Sequence, residues 1–333
     1  MARNRIIPLF IPHAGCPCAC VFCDQKKITG MDTPVTPEQV QREIEAALPW
    51  AGRGCQLAFY GGSFTAMRWE TQEKLLRAAA PYLRDGSIES IRLSTRPDAV
   101  DEETAARLKT YGVTTVELGC QSMDNRVLEL SGRGHTREDT LRASRLLRQG
   151  GLSQVLQMMT GLPGDDGSAS IATAEQLIAL KPQGVRIYPT VVLKNTALHW
   201  MMLRGDYQPQ SVEAAVALCA NIYEKFLAAG IPVIRVGLNP TEDLSGGEAV
   251  AGAYDPALGE RVLSRMYRNR AELLLQQQPE VRDAVLLVHP RRISVMVGQK
   301  RENICYLRER FRLSSIKVLP HTGTEWEIFL KNG

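Results

Sequence analysis

Four of the eight cysteines in this 333-residue chain fall within eight residues: Cys16, Cys18, Cys20 and Cys23. Thiolates select zinc or iron–sulfur clusters. Structural zinc sites usually draw four ligands from two separated pairs. No second Cys or Cys/His pair follows this one, so zinc would have to use Cys18 inside one cramped loop. The spacing Cys16-x3-Cys20-x2-Cys23 suits three irons of a cubane cluster. The fourth iron then stays open to coordinate a substrate or cofactor and pass it one electron. Cys18 lies in the first gap, where this spacing gives it no role. The bland alternative is a metal-free group of ordinary thiols. Cys55, Cys120, Cys219 and Cys305 stand singly in apolar or helical stretches and are expected to be small buried hydrophobes.

A strand–helix rhythm must position this loop. Short Val-, Ile- and Leu-rich strands are predicted at 6–11, 56–60, 90–94, 113–118, 154–159 and 184–188. A helix is predicted to begin at Thr36, and others at about 71–83, 102–111, 124–130, 137–148 and 171–179. Thr36-Pro-Glu-Gln39 is a helix start, with a cap residue ahead of a proline at the first helical position. This is the βα pattern of a parallel sheet covered by helices. Six units are too few for a closed eight-fold barrel, so an open, partial (β/α)6 barrel is expected. A helix at about 212–229 and a strand at 232–236 extend it. Residues 189–209 read as a long irregular connection, of the kind that often acts as a lid.

From about residue 255 the rhythm changes. A helix (260–277), two strands (284–288, 293–297), a helix (301–311) and two strands (316–319, 326–330) describe a small α+β domain. The expected domains are therefore 1–250 and 251–333. Residues 261–333 carry 14 Lys and Arg against 7 Asp and Glu, a net +7. The remaining 26 against 29 leave −3 for the body, and the whole chain has +4. The basic tail makes an RNA partner plausible. Val297-Gly-Gln-Lys-Arg-Glu-Asn303, read between a strand and a helix, is a weak match to a KH loop, because Arg301 occupies the second glycine position. The bland alternative is a solvated basic face.

The motifs at the predicted strand ends resemble a known family. Cys16-x3-Cys20-x2-Cys23 after the first strand resembles the signature of the radical S-adenosylmethionine (SAM) superfamily, and Phe22 belongs to that signature. Phe59-Tyr-Gly-Gly-Ser-Phe64 resembles the family's Gly-Gly-Glu segment, with Ser63 where Glu is often found. Ser94-Thr-Arg-Pro-Asp98 ends the third strand and Glu117-Leu-Gly-Cys-Gln-Ser122 the fourth. Gly132-Arg-Gly-His135 and Gly161-Leu-Pro-Gly164 follow. The resemblance covers about residues 6–240. The Gly-x-Gln-Ser, Gly-Arg-Gly-His and Gly-Leu-Pro-Gly segments are similar to oxygen-independent coproporphyrinogen oxidase-like proteins. Ser-Thr-Arg-Pro-Asp, and Ile187-Tyr-Pro-Thr190 leading to Lys194, look closer to the catalytic subunit of Elongator. The sequence has no room for the acetyltransferase domain found there, so it looks like a short bacterial relative of that branch.

The resemblance implies a [4Fe-4S] cluster on Cys16, Cys20 and Cys23, and S-adenosyl-L-methionine on its open iron. Phe22, Gly61, Gly62, Ser63, Ser94, Arg96 and Gln121 are the implied cofactor contacts. It also implies an electron donor such as flavodoxin or ferredoxin. One electron then cleaves SAM to methionine and a 5′-deoxyadenosyl radical, which abstracts hydrogen from a substrate. tRNA or another RNA is the leading substrate. Two alternatives remain: the same chemistry on a small or tetrapyrrole-like molecule, or a non-enzymatic zinc-stabilised RNA-binding protein. The catalytic residue on the substrate is not named by the sequence. Of the polar residues, His13 reads as a turn or cluster contact, and His135 as a cleft or surface-loop residue. His199, His289 and His321 read as structural. Tyr188 reads as a substrate-facing or packing residue, and Gly164-Asp-Asp-Gly167 as a turn. No apolar run reaches the roughly 18 residues of a membrane span, and no signal peptide is evident. A cytoplasmic protein is expected.

Overall fold

The computed structural model describes residues 5–11, 13–17, 20–24, 35–242 and 244–332. They group into two compact units, Met1–Gln210 with Phe226–Tyr254, and Ser211–Lys225 with Asp255–Gly333. Cys18 lies outside the described residues.

The first unit is built on strands β1 (Ile6–Phe10), β2 (Cys55–Tyr60), β3 (Ile88–Thr95), β4 (Val113–Gln121), β5 (Ser153–Thr160) and β6 (Gly184–Pro189). The connecting helices are α1 (Pro37–Ala51), α2 (Trp69–Arg84), α3 (Glu102–Thr110), α4 (Asn125–Leu130), α5 (Arg137–Gln149) and α6 (Ser168–Ala179). Local chemistry starts several of the helices. The Thr36 hydroxyl accepts from Gln39 N–H ahead of Pro37. Asp101 caps α3 through Thr104 N–H, and Thr136 with Asp139 forms a reciprocal capping box on α5.

Beyond β6 come β7 (Val191–Leu193), α7 (Ala197–Leu203), α8 (Val212–Ala228), β8 (Val233–Val236) and β9 (Ala249–Gly252). Seven strands form one all-parallel sheet in the order β1-β2-β3-β4-β5-β6-β8. Strand order follows sequence order, the arrangement of a barrel left open between β1 and β8. The expected partial barrel with its seventh-strand extension is thus the observed fold.

Register separates two faces of this sheet. Leu57, Phe59, Leu93, Val116, Leu118, Leu156, Val185 and Ile187 share the face that packs under the helices, and all are buried. Gln56, Tyr60, Arg92, Glu117, Gln157, Arg186 and Arg235 share the other, concave face.

The stretch 189–209 is not the irregular lid expected. It holds β7, which pairs antiparallel with β9, and α7, capped by Thr196. Val192, Leu198 and Tyr207 form a small core, with Val21 and Phe22 packed on it. The partner of β7 lies more than fifty residues downstream, so no local pattern announces it.

In the second unit, α9 (Leu258–Gln276), β10 (Asp283–Val288), α10 (Ile293–Val297), α11 (Glu302–Arg310), β11 (Ser315–Pro320) and β12 (Ile328–Asn332) follow in order. Its three-stranded sheet runs β11-β10-β12, parallel on one side and antiparallel on the other. Residues 293–297 are a helix, not the expected strand. A turn started by Pro290 and capped by the His289 ring leads into it. The buried Asn303 amide donates to the Val295 and Met296 carbonyls at its end. The 297–303 loop therefore joins two helices, and the strand–loop–helix frame of a KH module is not present there. Cys55, Cys120 and Cys219 are buried as expected, whereas Cys305 is exposed on α11.

Candidate active site

The strand C-terminal ends gather the chemistry. The cysteine loop leaves β1 and is clamped against the turn after β2. Ile11 N–H donates to the Tyr60 carbonyl at 2.7 Å, and Ser63 N–H to the Ala14 carbonyl at 2.8 Å. Two glycines permit this approach. A Cβ on Gly15, where φ is +72°, would lie 2.2 Å from the Ser63 carbonyl oxygen. One on Gly62 would lie 2.5 Å from the Ile11 carbonyl oxygen. The clamp sets Cys16 Sγ 3.5 Å from Ser63 Oγ.

Cys20 belongs to the β4 end. Arg133 Nη1 donates to Cys20 Sγ at 3.3 Å, and Arg133 Nη2 to the Gly119 carbonyl at 2.7 Å. Gly132 and Gly134 flank Arg133 in positive-φ conformations (+64° and +71°) that fold its side chain back. Arg96 holds this loop from behind, donating to the Arg133 carbonyl at 2.6 Å and to Asp98 at 2.5 Å. Gln121 ends β4 past a register shift, with φ at +64°.

His135 is buried, not on a surface loop. Its Nε2 lies 3.1 Å from the Cys120 carbonyl, so Nε2 carries the proton and Nδ1 is the bare acceptor. Burial and then the Arg133 charge push its pKa down to about 4. Three buried side-chain atoms at this one strand end have no hydrogen-bond partner among the described residues: Gln121 Oε1, Arg133 Nε and His135 Nδ1. Native interiors rarely leave such atoms unsatisfied unless a ligand or water completes them.

Cys16, Cys20 and Cys23 thus lie on one loop that is tied to both the β2 and β4 ends. Among the described residues their sulfurs are not gathered with one another or with His, Asp or Glu into a ready metal-ligand set. Phe22 sits on the core formed by Val192, Leu198 and Tyr207. Ser94 lies in register with Glu117 on the concave face. The His13 carbonyl accepts from Cys16 N–H, closing the first turn of the loop. Asp165 and Asp166 bond the backbone of their own turn and the start of α6, as expected for a turn. The remaining three histidines are structural as expected. His199 accepts from Asn195 N–H, His289 caps a turn, and His321 packs edge-on to Phe329.

Below the strand ends, the concave face carries a polar centre that the strand reading passed over. Glu117, fully buried, accepts at Oε1 from Tyr60 (3.1 Å), Arg92 (2.9 Å) and Arg186 (3.1 Å). At Oε2 it accepts from Arg186 (2.8 Å) and Gln157 (3.0 Å). Burial alone would push its carboxyl up, but Arg186 and Arg92 outweigh burial and hold it below the usual range. Burial and the neighbouring carboxylate raise Tyr60. The available signal was polar residues at period two within otherwise apolar strands, as in Ser90-Ile-Arg92-Leu-Ser94.

The sequence matches the radical SAM superfamily over residues 10–177 and the radical SAM C-terminal domain over residues 182–268. The chain belongs to the radical SAM superfamily. Among the superfamily members it resembles is the tRNA uridine(34) acetyltransferase of Methanocaldococcus jannaschii, 31% identical over 183 residues, 49% of this chain and 34% of that one. Elongator complex protein 3 of Homo sapiens is 28% identical over 182 residues, 49% of this chain and 33% of that one. The chain thus spans about a third of the length of these curated relatives. The solved structure of Elp3 from Methanocaldococcus infernus, with residues 1–46 deleted, matches 80% of this chain and 63% of its own, at 24% identity and a TM-score of 0.63, which shows the shared fold. The expected Elongator-like resemblance is borne out.

Radical SAM proteins generally use a [4Fe-4S] cluster and SAM, and the residues here fit that pair. Three thiols share a clamped loop with one spacing. Beside it, a guanidinium N–H and two acceptors without a partner among the described residues are buried together, which suits a ligand with both carboxylate and N–H or O–H groups.

Proposed function

We propose that this radical SAM enzyme modifies RNA, with tRNA as its substrate class. Cys16, Cys20 and Cys23 hold the cluster. Gly61, Gly62, Ser63, Gln121 and Arg133 bind SAM, with Phe22, Ser94 and Arg96 shaping the cradle. When bound, the cluster would supply one-electron reduction of SAM, the source of a radical able to take hydrogen from a substrate.

The protein's own part is placement. The Gly15–Gly62 clamp fixes the first cysteine over the β2 end. Arg133 ties the second cysteine to the β4 end. His135 is neutral at pH 7 and braces the Cys120 carbonyl beside Gln121. The observation that carries this reading is the joint presence of the clamped cysteine loop and the three unpartnered polar atoms at one strand end. The substrate class is supported by the similarity to proteins named as tRNA uridine(34) acetyltransferases. The similarity covers only about a third of those relatives' length, so acetyl transfer is no part of the proposal.

The test is anaerobic reconstitution of the full chain with iron and sulfide. The chain should then bind about four irons and four sulfides and release 5′-deoxyadenosine from SAM with a strong reductant. Incubation with total RNA, followed by nucleoside mass comparison against Cys20→Ala, should show a new nucleoside only with the parent protein. A loaded cluster that yields no 5′-deoxyadenosine defeats the enzymatic reading. 5′-Deoxyadenosine without any altered nucleoside defeats the choice of RNA.

A further inference from the structure

The concave face holds more positive charge than its own carboxylate neutralises. Glu117 is shared by two guanidiniums, those of Arg92 and Arg186, whose side chains are only 13% and 12% exposed. One carboxylate against two guanidiniums leaves, among the described residues, a surplus positive charge on side chains that are mostly withdrawn from water. The next strand adds a second. Arg235 on β8 lies in register beside Arg186, and neighbouring strands run about 4.8 Å apart. Its guanidinium makes no hydrogen bond or ion pair with the described residues, and it acts electrostatically on Tyr188, on the same face.

Charges withdrawn from water are normally paired, because the desolvation cost is large. A like-charged pair on adjacent strands makes the imbalance worse. An anion entering between Arg186 and Arg235 would relieve both. Arginine suits an oxyanion, since its fork of N–H donors matches phosphate and carboxylate geometry. The position also fits substrate rather than cofactor. This row lies within the strands, ahead of the strand-end loops that carry the cysteines, the Gly61-Gly62-Ser63 turn and Gln121. β8 is the terminal strand of the sheet.

We propose that Arg235, with Arg186 and Arg92, forms an oxyanion subsite on the concave face that takes a phosphate of the substrate. The choice of an RNA backbone phosphate rests on the function proposed above. The subsite itself rests on the charge imbalance, and a phosphate or carboxylate of a small molecule would satisfy the same chemistry.

The experiment titrates the reconstituted full chain with inorganic phosphate and, separately, with tRNA, in chloride buffer at constant ionic strength. Arg235→Gln and Arg235→Lys are compared with the parent protein, and thermal melting shows that each variant is folded. Arg235 is outside the Glu117 network, so Arg235→Gln should melt like the parent. The parent should bind phosphate saturably. Arg235→Gln should weaken that binding by about 10-fold, the usual worth of a charged hydrogen bond, and Arg235→Lys should restore part of it. tRNA affinity should fall in the same order. Phosphate binding that depends on Arg235, with no tRNA binding by the parent or with tRNA binding indifferent to Arg235, keeps the subsite but assigns it to a small-molecule anion. No saturable phosphate binding, or equal binding by parent and Arg235→Gln, overturns the proposal. In that case tRNA binding by the parent leaves the RNA reading standing.

Discussion

Two polar regions of the half-barrel lie on neighbouring layers and obey opposite rules. Around Glu117 both carboxylate oxygens are engaged by five donors. At the β4 end, Gln121, Arg133 and His135 each bury an atom with no partner among the described residues. A saturated network of this kind rigidifies and specifies a core. An unsatisfied one is expensive to keep and marks where a ligand completes the structure. The contrast separates polar residues that hold the barrel in shape from those that hold its cofactors, a division residue type alone does not give.

Four substitutions test this division. Cys20→Ala should have the largest effect. Iron retained after reconstitution and gel filtration should fall to background. The melting curve of the unloaded protein should be little changed, because Cys20 is half-exposed. A large loss of stability would show that the cysteine loop belongs to the structural region.

Glu117→Gln should do the reverse. It leaves two guanidiniums against a neutral amide, and breaking a buried ion pair in this way costs about 3–5 kcal/mol. Chemical denaturation should read that loss, while the folded fraction still takes up iron. The Glu117 carboxyl titrates below its unfolded value of 4.5 in the folded protein. Its unfolded form therefore binds the proton first, and its stabilisation is whole above pH 4.5 and is lost as pH falls through the lower folded value.

His135 gives a further loss at milder acidity. Its folded pKa is about 4 against 6.5 unfolded, so the unfolded state takes up its proton first. Stability should fall between pH 6.5 and 4 by up to about 3 kcal/mol and then level off. His135→Gln should flatten that part of the pH–stability curve, and an unchanged slope would remove His135 as its source.

The last substitution, Gly62→Ala, perturbs the clamp itself. A Cβ 2.5 Å from the Ile11 carbonyl must push the cysteine loop off the β2 end, at about 1–3 kcal/mol. Its effect on iron retention should exceed that of an alanine at Gly205, where a Cβ meets nothing within 4 Å. Equal iron retention by the two variants would mean that the clamp does not position the ligands.

Much of the first unit was legible before folding. The βα rhythm foretold the parallel strands to within a few residues, and the Thr36 and Asp101–Thr104 starts are local. The failures came where partners are distant or the pattern is ambiguous. Residues 191–193 pair with 249–252, and three residues alone carry no strand signal. Ile293-Ser-Val-Met-Val297 alternates like a strand, but Pro290 and the Asn303 cap make it a helix. Arg133 stands inside the Gly132-Arg-Gly-His135 motif, yet its role depends on the positive-φ Gly132 and Gly134 turning it toward Cys20.

Covalent spacing is a local property, so the chain alone determined the three-cysteine signature, the strand order of the half-barrel and the family. Charge balance is not local. Arg92, Glu117 and Arg186 span more than 90 residues, and the sharing of one carboxylate by two guanidiniums exists only when the strands lie side by side. Only the tertiary structure could decide which polar residues are satisfied and which still wait for a partner, because that depends on atoms brought within 3 Å across the sheet.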